Sequence, residues 1–171
     1  TLPSFSDLTN DRVRLNDIRE LNINELIGRE PVKPDTKLLR KCIFKKTVLV
    51  TGAGGSIGSE ICRQVLKNTP KHILLAENSE ISLYNIYNEL DSIIKETTLK
   101  TVLVPILINI QDTTSLNNIF KIWKPYTVYH AAAYKHVPMV EQNIVAGITN
   151  NVIGTLTCSN VAMKYNVKYF V

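Results

Sequence analysis

Thr51-Gly52-Ala53-Gly54-Gly55-Ser56-Ile57-Gly58 is the stretch on which the reading of this chain turns. Just before it, Thr47-Val48-Leu49-Val50 is a short unbroken apolar run, the pattern of a strand buried on both faces. Just after it, Ile57, Ile61, Val65 and Leu66 return at helical spacing. The octet is therefore a strand-to-helix turn. Gly52 permits the tight bend off the strand, Gly55 lets backbone approach a pyrophosphate with no Cβ in the way, and Gly58 lets the helix pack closely on the sheet. The amides of Ser56 and Ile57 fall at the helix N-terminus, where unpaired N–H groups and the dipole favour an anion. No Lys-Ser/Thr pair follows the glycines, which disfavours a P-loop.

Working outward, strands and helices alternate. His72-Ile73-Leu74-Leu75-Ala76 reads as a second buried strand, and Leu83, Tyr87, Leu90 and Ile94 mark one face of the next helix. A third strand is expected over Val102 to Ile108, with Pro105 implying an irregular start or an unpaired position. Asp112 is placed to cap a helix whose buried face is Leu116, Ile119, Phe120 and Trp123. Thr127-Val128-Tyr129-His130 is the fourth strand, a helix runs from about Ile144 to Tyr165, and a fifth strand begins at Val167. Such alternation requires a parallel sheet with right-handed crossovers. The expected fold is α/β, a Rossmann-like doubly wound parallel sheet of strand order 3-2-1-4-5, with an N-terminal helical arm.

Two segments divide the chain: an arm over 1–46 and an NAD(P)-binding Rossmann domain over 47–171. The arm is polar, holds Pro3, Pro31 and Pro34, and carries short apolar pieces at Leu15, Ile18, Leu21, Ile23, Leu26 and Ile27, consistent with one or two short helices. Gly28 to Pro34 reads as an extended connector. With 171 residues, 44% of them hydrophobic and 20% charged, the chain has the composition of an ordinary globular domain. No apolar run approaches the roughly 20 residues of a membrane span, and no signal-peptide pattern is present, so a cytoplasmic location is expected. Cys42, Cys62 and Cys158 are isolated in apolar stretches, with no CxxC pair, and read as buried thiols rather than metal ligands. The net charge of +5 raises the question of nucleic acid. The basic residues are scattered apart from Arg40, Lys41, Lys45 and Lys46, a cluster without interleaved aromatics, and a solvated surface is the expectation; no nucleic-acid partner is expected.

The candidate cofactor site extends beyond the glycines. Glu77 closes the second strand 19 positions beyond Gly58, where an acid would bind the adenosine ribose hydroxyls and repel a 2′-phosphate. That favours NAD over NADP, with Asn78 and Ser79 able to adjust the preference; a capping or surface acid is the other reading of Glu77. Asn109 and Ile110 end the third strand beside the expected adenine pocket, where the asparagine either pairs with adenine or serves the turn. Ala131, Ala132 and Ala133 end the fourth strand and let a ligand lie against the backbone at the switch point. Lys135 and His136 would project toward the nicotinamide or substrate side, while His130 reads as a strand-end residue satisfied by its neighbours. Asn150, Asn151 and Gly154 are poor helix-interior residues, explained either by a polar kink facing the cleft or by close packing at the glycine.

TGAGGSIGSE, with HAAAYKHVPMVE and NNVIGT after it, resembles the extended short-chain dehydrogenase/reductases. More narrowly it resembles the bacterial nucleotide-sugar 4,6-dehydratases that act on UDP-N-acetylglucosamine in polysaccharide and glycan biosynthesis. Ile23 to Val32 is similar to the stretch preceding the Rossmann domain in larger, membrane-anchored members. The resemblance implies a lyase: hydride leaves sugar C4 for NAD(P)⁺, water is lost across C5 and C6, and the hydride returns to C6. The product would be a UDP-4-keto-6-deoxy sugar. It also implies substrate contacts at Lys135, His136, Val137 and Pro138, and cofactor contacts at Gly52, Gly55, Ser56, Ile57, Gly58, Glu77, Asn78, Ser79, Asn109, Ile110, Ala131, Ala132, Ala133 and Asn150. The family's acid/base residues follow strand five, so the expectation is that they and the substrate part lie beyond Val171 and that this chain alone is inactive. A homo-oligomer and an inner-membrane anchor in the parent protein are further expectations. A nucleotide-sugar 4-epimerase or reductase, or a non-catalytic nucleotide-binding module, are the alternatives.

Overall fold

Strands buried on both faces need helices on both sides, and the computed structural model, which describes residues 35–171, is built that way. Five parallel strands, β1 (Thr47–Thr51), β2 (His72–Glu77), β3 (Val102–Leu107), β4 (Thr127–His130) and β5 (Tyr169–Phe170), lie in the order β3-β2-β1-β4-β5. Register is regular: Val48 pairs with Ile73 on one side and with Thr127 on the other. Alternation along β1 separates two cores. Val48 and Val50 join Ile73, Leu75, Cys62, Val65 and Leu90 on one face, beneath α1 (Thr36–Ile43), α2 (Ser56–Lys67) and α3 (Glu80–Thr97). Leu49 points the other way, to Leu74, Leu116, Phe120, Val128 and Cys158, beneath α4 (Thr113–Trp123) and α7 (Thr155–Lys164).

The short helices and connector expected before Asp35 lie outside the described residues. Residues 35–46, read from sequence as the end of the arm and a solvated basic stretch, belong to the compact unit Asp35–Val171. Asp35 caps α1 by accepting from the Lys37 and Leu38 amides, and the helix delivers Cys42 and Ile43 into the core. The basic cluster is not without aromatics either: the Arg40 guanidinium lies 4.3 Å and the Lys45 ammonium 5.2 Å from the Phe44 ring centroid.

Pro105 disturbs nothing. β3 is an edge strand, and the Val102 and Ile108 amides donate inward to Lys71 and Glu77 carbonyls, so by alternation the position of Pro105 faces outward, where its missing N–H costs no ladder bond. Asp112 caps α4 as expected, accepting from the Thr114 and Ser115 amides at 3.0 Å each. Ile57 departs from the expected buried stripe: it is 61% exposed, and Cys62 takes the interior position. The expected long helix is interrupted. A separate α5 (Val137–Gln142) precedes α6 (Ile144–Ile148), and a π-helical turn, Thr149–Gly154, joins α6 to α7. Every helix-to-strand connector holds one left-handed residue: Lys45, Thr69, Thr98, Lys124 and Asn166, all with φ between 46° and 55°.

Candidate functional site

Reversal of strand order between β1 and β4 opens a crevice at the carboxyl ends of the strands. The turn after β1 forms its floor. Gly52 has φ +63°, and a Cβ there would sit 2.8 Å from the Ala131 carbonyl oxygen and the Ala132 Cα. Gly58 is closed in by the Gly52 carbonyl, so a side chain at either position would push the turn apart. Gly54, not singled out in the sequence, is equally tight: a Cβ would lie 2.5 Å from the Ser82 Cβ on α3. Gly55 differs. Its only close neighbour would be the Gly52 oxygen at 3.3 Å, and it borders both cavities of the crevice. The missing side chain is thus space on the ligand side, at the residue that caps α2, where Ser56 and Ile57 are exposed.

One cavity is walled by Gly52, Gly55, Glu77, Asn78, Asn109, Ile110, Ala131, Ala132, Ala133 and Asn150, all expected, together with Ala76, Ile108 and Tyr134, which were not. The adjoining cavity brings Gly55, Ser56, Ile57, Gly58, Ala131, Ala133, Lys135 and His136 against Tyr134, Met139, Val140, Asn143, Ala146 and Gly147. The contribution of α5 and α6 escaped the sequence reading because six- and five-residue helices carry too few turns to show a period. Three expected contacts line neither cavity. Ser79 caps α3, its hydroxyl accepting from the Ser82 amide at 3.3 Å. Val137 and Pro138 open α5 and are exposed.

Glu77 is 8% exposed, and its carboxylate holds the crevice together. One oxygen accepts from the Gly54 amide at 2.9 Å, and the other from the Asn78 and Ser79 amides at 2.9 and 3.1 Å. Of about four lone-pair positions on a carboxylate, three are thereby taken. Glu77 is thus neither a surface acid nor a helix cap, since Ser79 caps α3; it braces the turn and borders the cavity. Asn109 likewise serves its turn, accepting from the Gln111 amide at 2.9 Å, while lining the same cavity.

A second brace crosses to the π-helical turn. The Asn151 side chain accepts from the Tyr134 amide at 2.8 Å and donates back to the Tyr134 carbonyl at 2.9 Å, clamping the loop that carries Lys135. Neighbouring Asn150 is 6% exposed and donates to the Asn151 oxygen at 3.0 Å. Gly154 packs against Ile110, where a Cβ would approach Ile110 Cδ1 to 2.7 Å, so the polar kink and the close packing both occur. Such single-turn π segments are frequent at functional sites.

His130 ties these parts together. Its Nδ1 lies 2.8 Å from the Thr51 hydroxyl and its Nε2 lies 2.9 Å from the Thr155 hydroxyl. Thr155 already donates its only hydroxyl proton to the Asn151 carbonyl at 2.7 Å, so Nε2 must donate to it, and in the uncharged ring Nδ1 then accepts from the Thr51 hydroxyl. This assigns the neutral Nε2–H tautomer, and burial holds the imidazole below its usual pKa. Across the crevice, the Lys135 ammonium donates to the Ser56 hydroxyl at 2.6 Å, adding a full positive charge at the N-terminus of α2. All three cysteines are buried, and burial pushes the Cys62 and Cys158 thiols up to about 12, so neither supplies a thiolate at neutral pH.

The strand order, the glycine turn and the crevice define a class, the Rossmann-like doubly wound domain. The model of the family described as polysaccharide biosynthesis protein matches residues 48–171, and the chain belongs to that family. It is 40% identical over 170 residues to the capsular polysaccharide biosynthesis protein CapD of Staphylococcus aureus, covering 99% of this chain and 28% of that protein. It is 30% identical over 128 residues to a dTDP-glucose 4,6-dehydratase of Salmonella typhimurium, covering 69% of this chain and 31% of that protein. Among solved structures, the UDP-glucose 4-epimerase of Thermus thermophilus, a complex with NAD, shares the fold with a TM-score of 0.60 at 22% identity, over 72% of this chain and 36% of that one. The chain thus spans under a third of the length of these two relatives.

Proposed function

We propose that this chain supplies the dinucleotide-binding part of a nucleotide-sugar 4,6-dehydratase that converts UDP-N-acetylglucosamine to a UDP-4-keto-6-deoxy sugar for surface polysaccharide. The observation that carries the reading is convergence. The exposed amides that start α2, the bare backbone at Gly55 and the wall of Ala131 to Ala133 meet in one crevice at the β1–β4 switch point. A pyrophosphate fits there because the donors and the Lys135 charge are in place and the Cβ that would occupy the space is absent. The cavity under Glu77, Asn109 and Ile110 suits the adenosine end, and the free lone pair of Glu77 toward a ribose hydroxyl favours NAD over NADP. The cavity past Ser56 leads toward Lys135 and His136, which would meet the sugar nucleotide.

When bound, the nicotinamide accepts a hydride and returns it. The residues of this chain bind and orient: α2 holds phosphate, the Asn151 clamp fixes the loop bearing Lys135, and the alanine wall lets the cofactor lie flat. Similarity to a named 4,6-dehydratase supports the reaction class. The sugar is argued from the AAYKHVP resemblance and from the second cavity. The three buried thiols suit a reducing compartment, and we place the site in the cytoplasm.

Calorimetric titration of the chain with NAD⁺ and NADP⁺, with Gly55→Asp as control, tests the cofactor. Saturable binding that prefers NAD⁺ and disappears in the control is expected. A folded chain that ignores both nucleotides, or a control that binds equally well, refutes the site. Product analysis of the full-length protein with UDP-N-acetylglucosamine, UDP-glucose or dTDP-glucose then tests the substrate.

A further inference from the structure

In a parallel sheet all strands begin at one edge, so whatever residue type precedes each strand is collected on one side of the molecule. Here every connector carries a lysine one to three residues ahead of its strand: Lys45 and Lys46 before β1, Lys71 before β2, Lys100 before β3, Lys124 before β4 and Lys168 before β5. All six are exposed. The five connectors that hold them, 44–46, 68–71, 98–101, 124–126 and 165–168, contain no acidic residue. At the opposite edge, the loops that line the crevice carry one lysine, Lys135, and one aspartate, Asp112.

Backbone bonds lace the basic connectors into one continuous edge. The Lys71 amide donates to the Lys46 carbonyl at 2.8 Å, Val102 to Lys71 at 3.1 Å, Tyr126 to Thr47 at 2.8 Å, and Lys168 to Tyr126 at 3.0 Å. With strands about 4.8 Å apart, the row extends roughly 20 Å. Helix C-termini attract cations for local reasons, which accounts for Lys67, Lys95, Lys121 and Lys164 in the last turns. That explanation reaches Lys124, the cap of α4, and Lys45, one past the cap of α1, but not Lys46, Lys71, Lys100 or Lys168, which lie two or three residues past a helix cap. Lys45 and Lys124 even occupy left-handed positions that glycine would adopt with less strain. Glu96 is an exposed acid in the last turn of α3. Among the described residues, the ion pairs are Arg63 with Glu60 and Glu89, and Lys95 with Asp91, so none of the six lysines is paired there.

Half-buried aromatic rings sit between the charges. Lys46 lies 4.6 Å from the Tyr126 centroid, Tyr126 meets Tyr169 edge-on at 5.7 Å, and Phe44 carries Arg40 and Lys45. Cations already lie over the Phe44 and Tyr126 rings, which leaves them poor platforms for stacking bases and weighs against single-stranded nucleic acid. Tyrosine and phenylalanine beside long, flexible lysines suit the headgroup region of a bilayer. We propose that this basic edge docks on an anionic phospholipid surface, with the crevice at the far ends of the strands turned toward the aqueous phase.

Flotation of the full chain with vesicles tests this, using 30% phosphatidylglycerol in phosphatidylcholine against phosphatidylcholine alone. Binding is expected only to the anionic vesicles and should fall as salt is raised. Each lysine near such a surface contributes about a fivefold factor in partitioning. Lys46→Gln/Lys71→Gln/Lys168→Gln should therefore lose about 100-fold, with its thermal midpoint preserved because all three side chains are exposed. Lys135→Gln, at the opposite edge, should bind vesicles as the parent does. Equal binding to neutral vesicles, no binding to anionic ones, or equal losses from the triple and the single variant would each overturn the proposal. So would a single-stranded oligonucleotide that displaces the chain from vesicles through the same lysines, which would make nucleic acid the partner.

Discussion

Gly52 and Gly55 stand three residues apart in one turn, yet replacing each with alanine should damage different properties. At Gly52 the backbone has φ +63°, where an L side chain costs about 1–2 kcal/mol. The new Cβ would also press to 2.8 Å on the Ala131 oxygen and the Ala132 Cα, which are backbone atoms at the end of β4 and cannot swing aside. Overpacking of that kind adds about 1–3 kcal/mol. Gly52→Ala should therefore lose about 2–5 kcal/mol, a fall in midpoint of about 5–15 °C for a domain of this size. Gly55 has φ −71°, which alanine tolerates, and its one close contact is at 3.3 Å. Relief of the yield needed there by reduced unfolded-state entropy keeps Gly55→Ala within about 1 kcal/mol of the parent. Its methyl nevertheless enters the space where phosphate would approach the α2 amides. Urea denaturation measures the first effect and nucleotide titration the second. Equal stability losses in the two variants, or a stable Gly52→Ala, would refute the geometric reasoning.

Asn151→Leu removes both bonds to Tyr134 and should cost about 1–3 kcal/mol, with faster hydrogen exchange at residues 131–136 as the specific sign. Lys135→Gln should leave the denaturation midpoint unchanged and weaken nucleotide binding about fivefold, from about 1 kcal/mol for a partly exposed charge pair, measured by titration at low salt. Burial lowers the pKa of both His130 and His72 in the folded chain. Below about pH 6.5 the unfolded chain then binds more protons than the folded one, so stability is complete above that pH and declines as pH falls through it. Urea midpoints at pH 7.5 and 5.5 should show the decline, and a smaller one in His130→Gln. Asp112→Ala should cost about 1 kcal/mol through the lost α4 cap, read from the same denaturation curves.

The fold was legible wherever one element is long or closely punctuated. The apolar runs at 48–50 and 73–75, the glycines between β1 and α2 and the Asp112 cap each signal their element locally, and together they dictate a parallel order. What escaped is non-local or too short to show a period. α1 stands directly behind two prolines and is two turns long, so neither composition nor periodicity announced it. The role of Asn151 depends on a loop 17 positions away, and the environment of Gly54 depends on α3 packing over it. Ile57 fitted the helical stripe in sequence but falls in the first turn, where the helix axis points at the crevice rather than the core. Lysines before each strand look scattered along the chain, and only the parallel topology gathers them at one edge.

If the crevice at the β1–β4 switch point is the dinucleotide site, amide NMR during titration with NAD⁺ will show it residue by residue. Saturable shifts are expected at Gly52 to Gly58, at Ala131 to Ala133 and at Asn150, with the amides of Lys46, Lys71 and Lys168 unmoved. A folded chain showing no saturable shifts, or shifts confined to the basic edge, would contradict it.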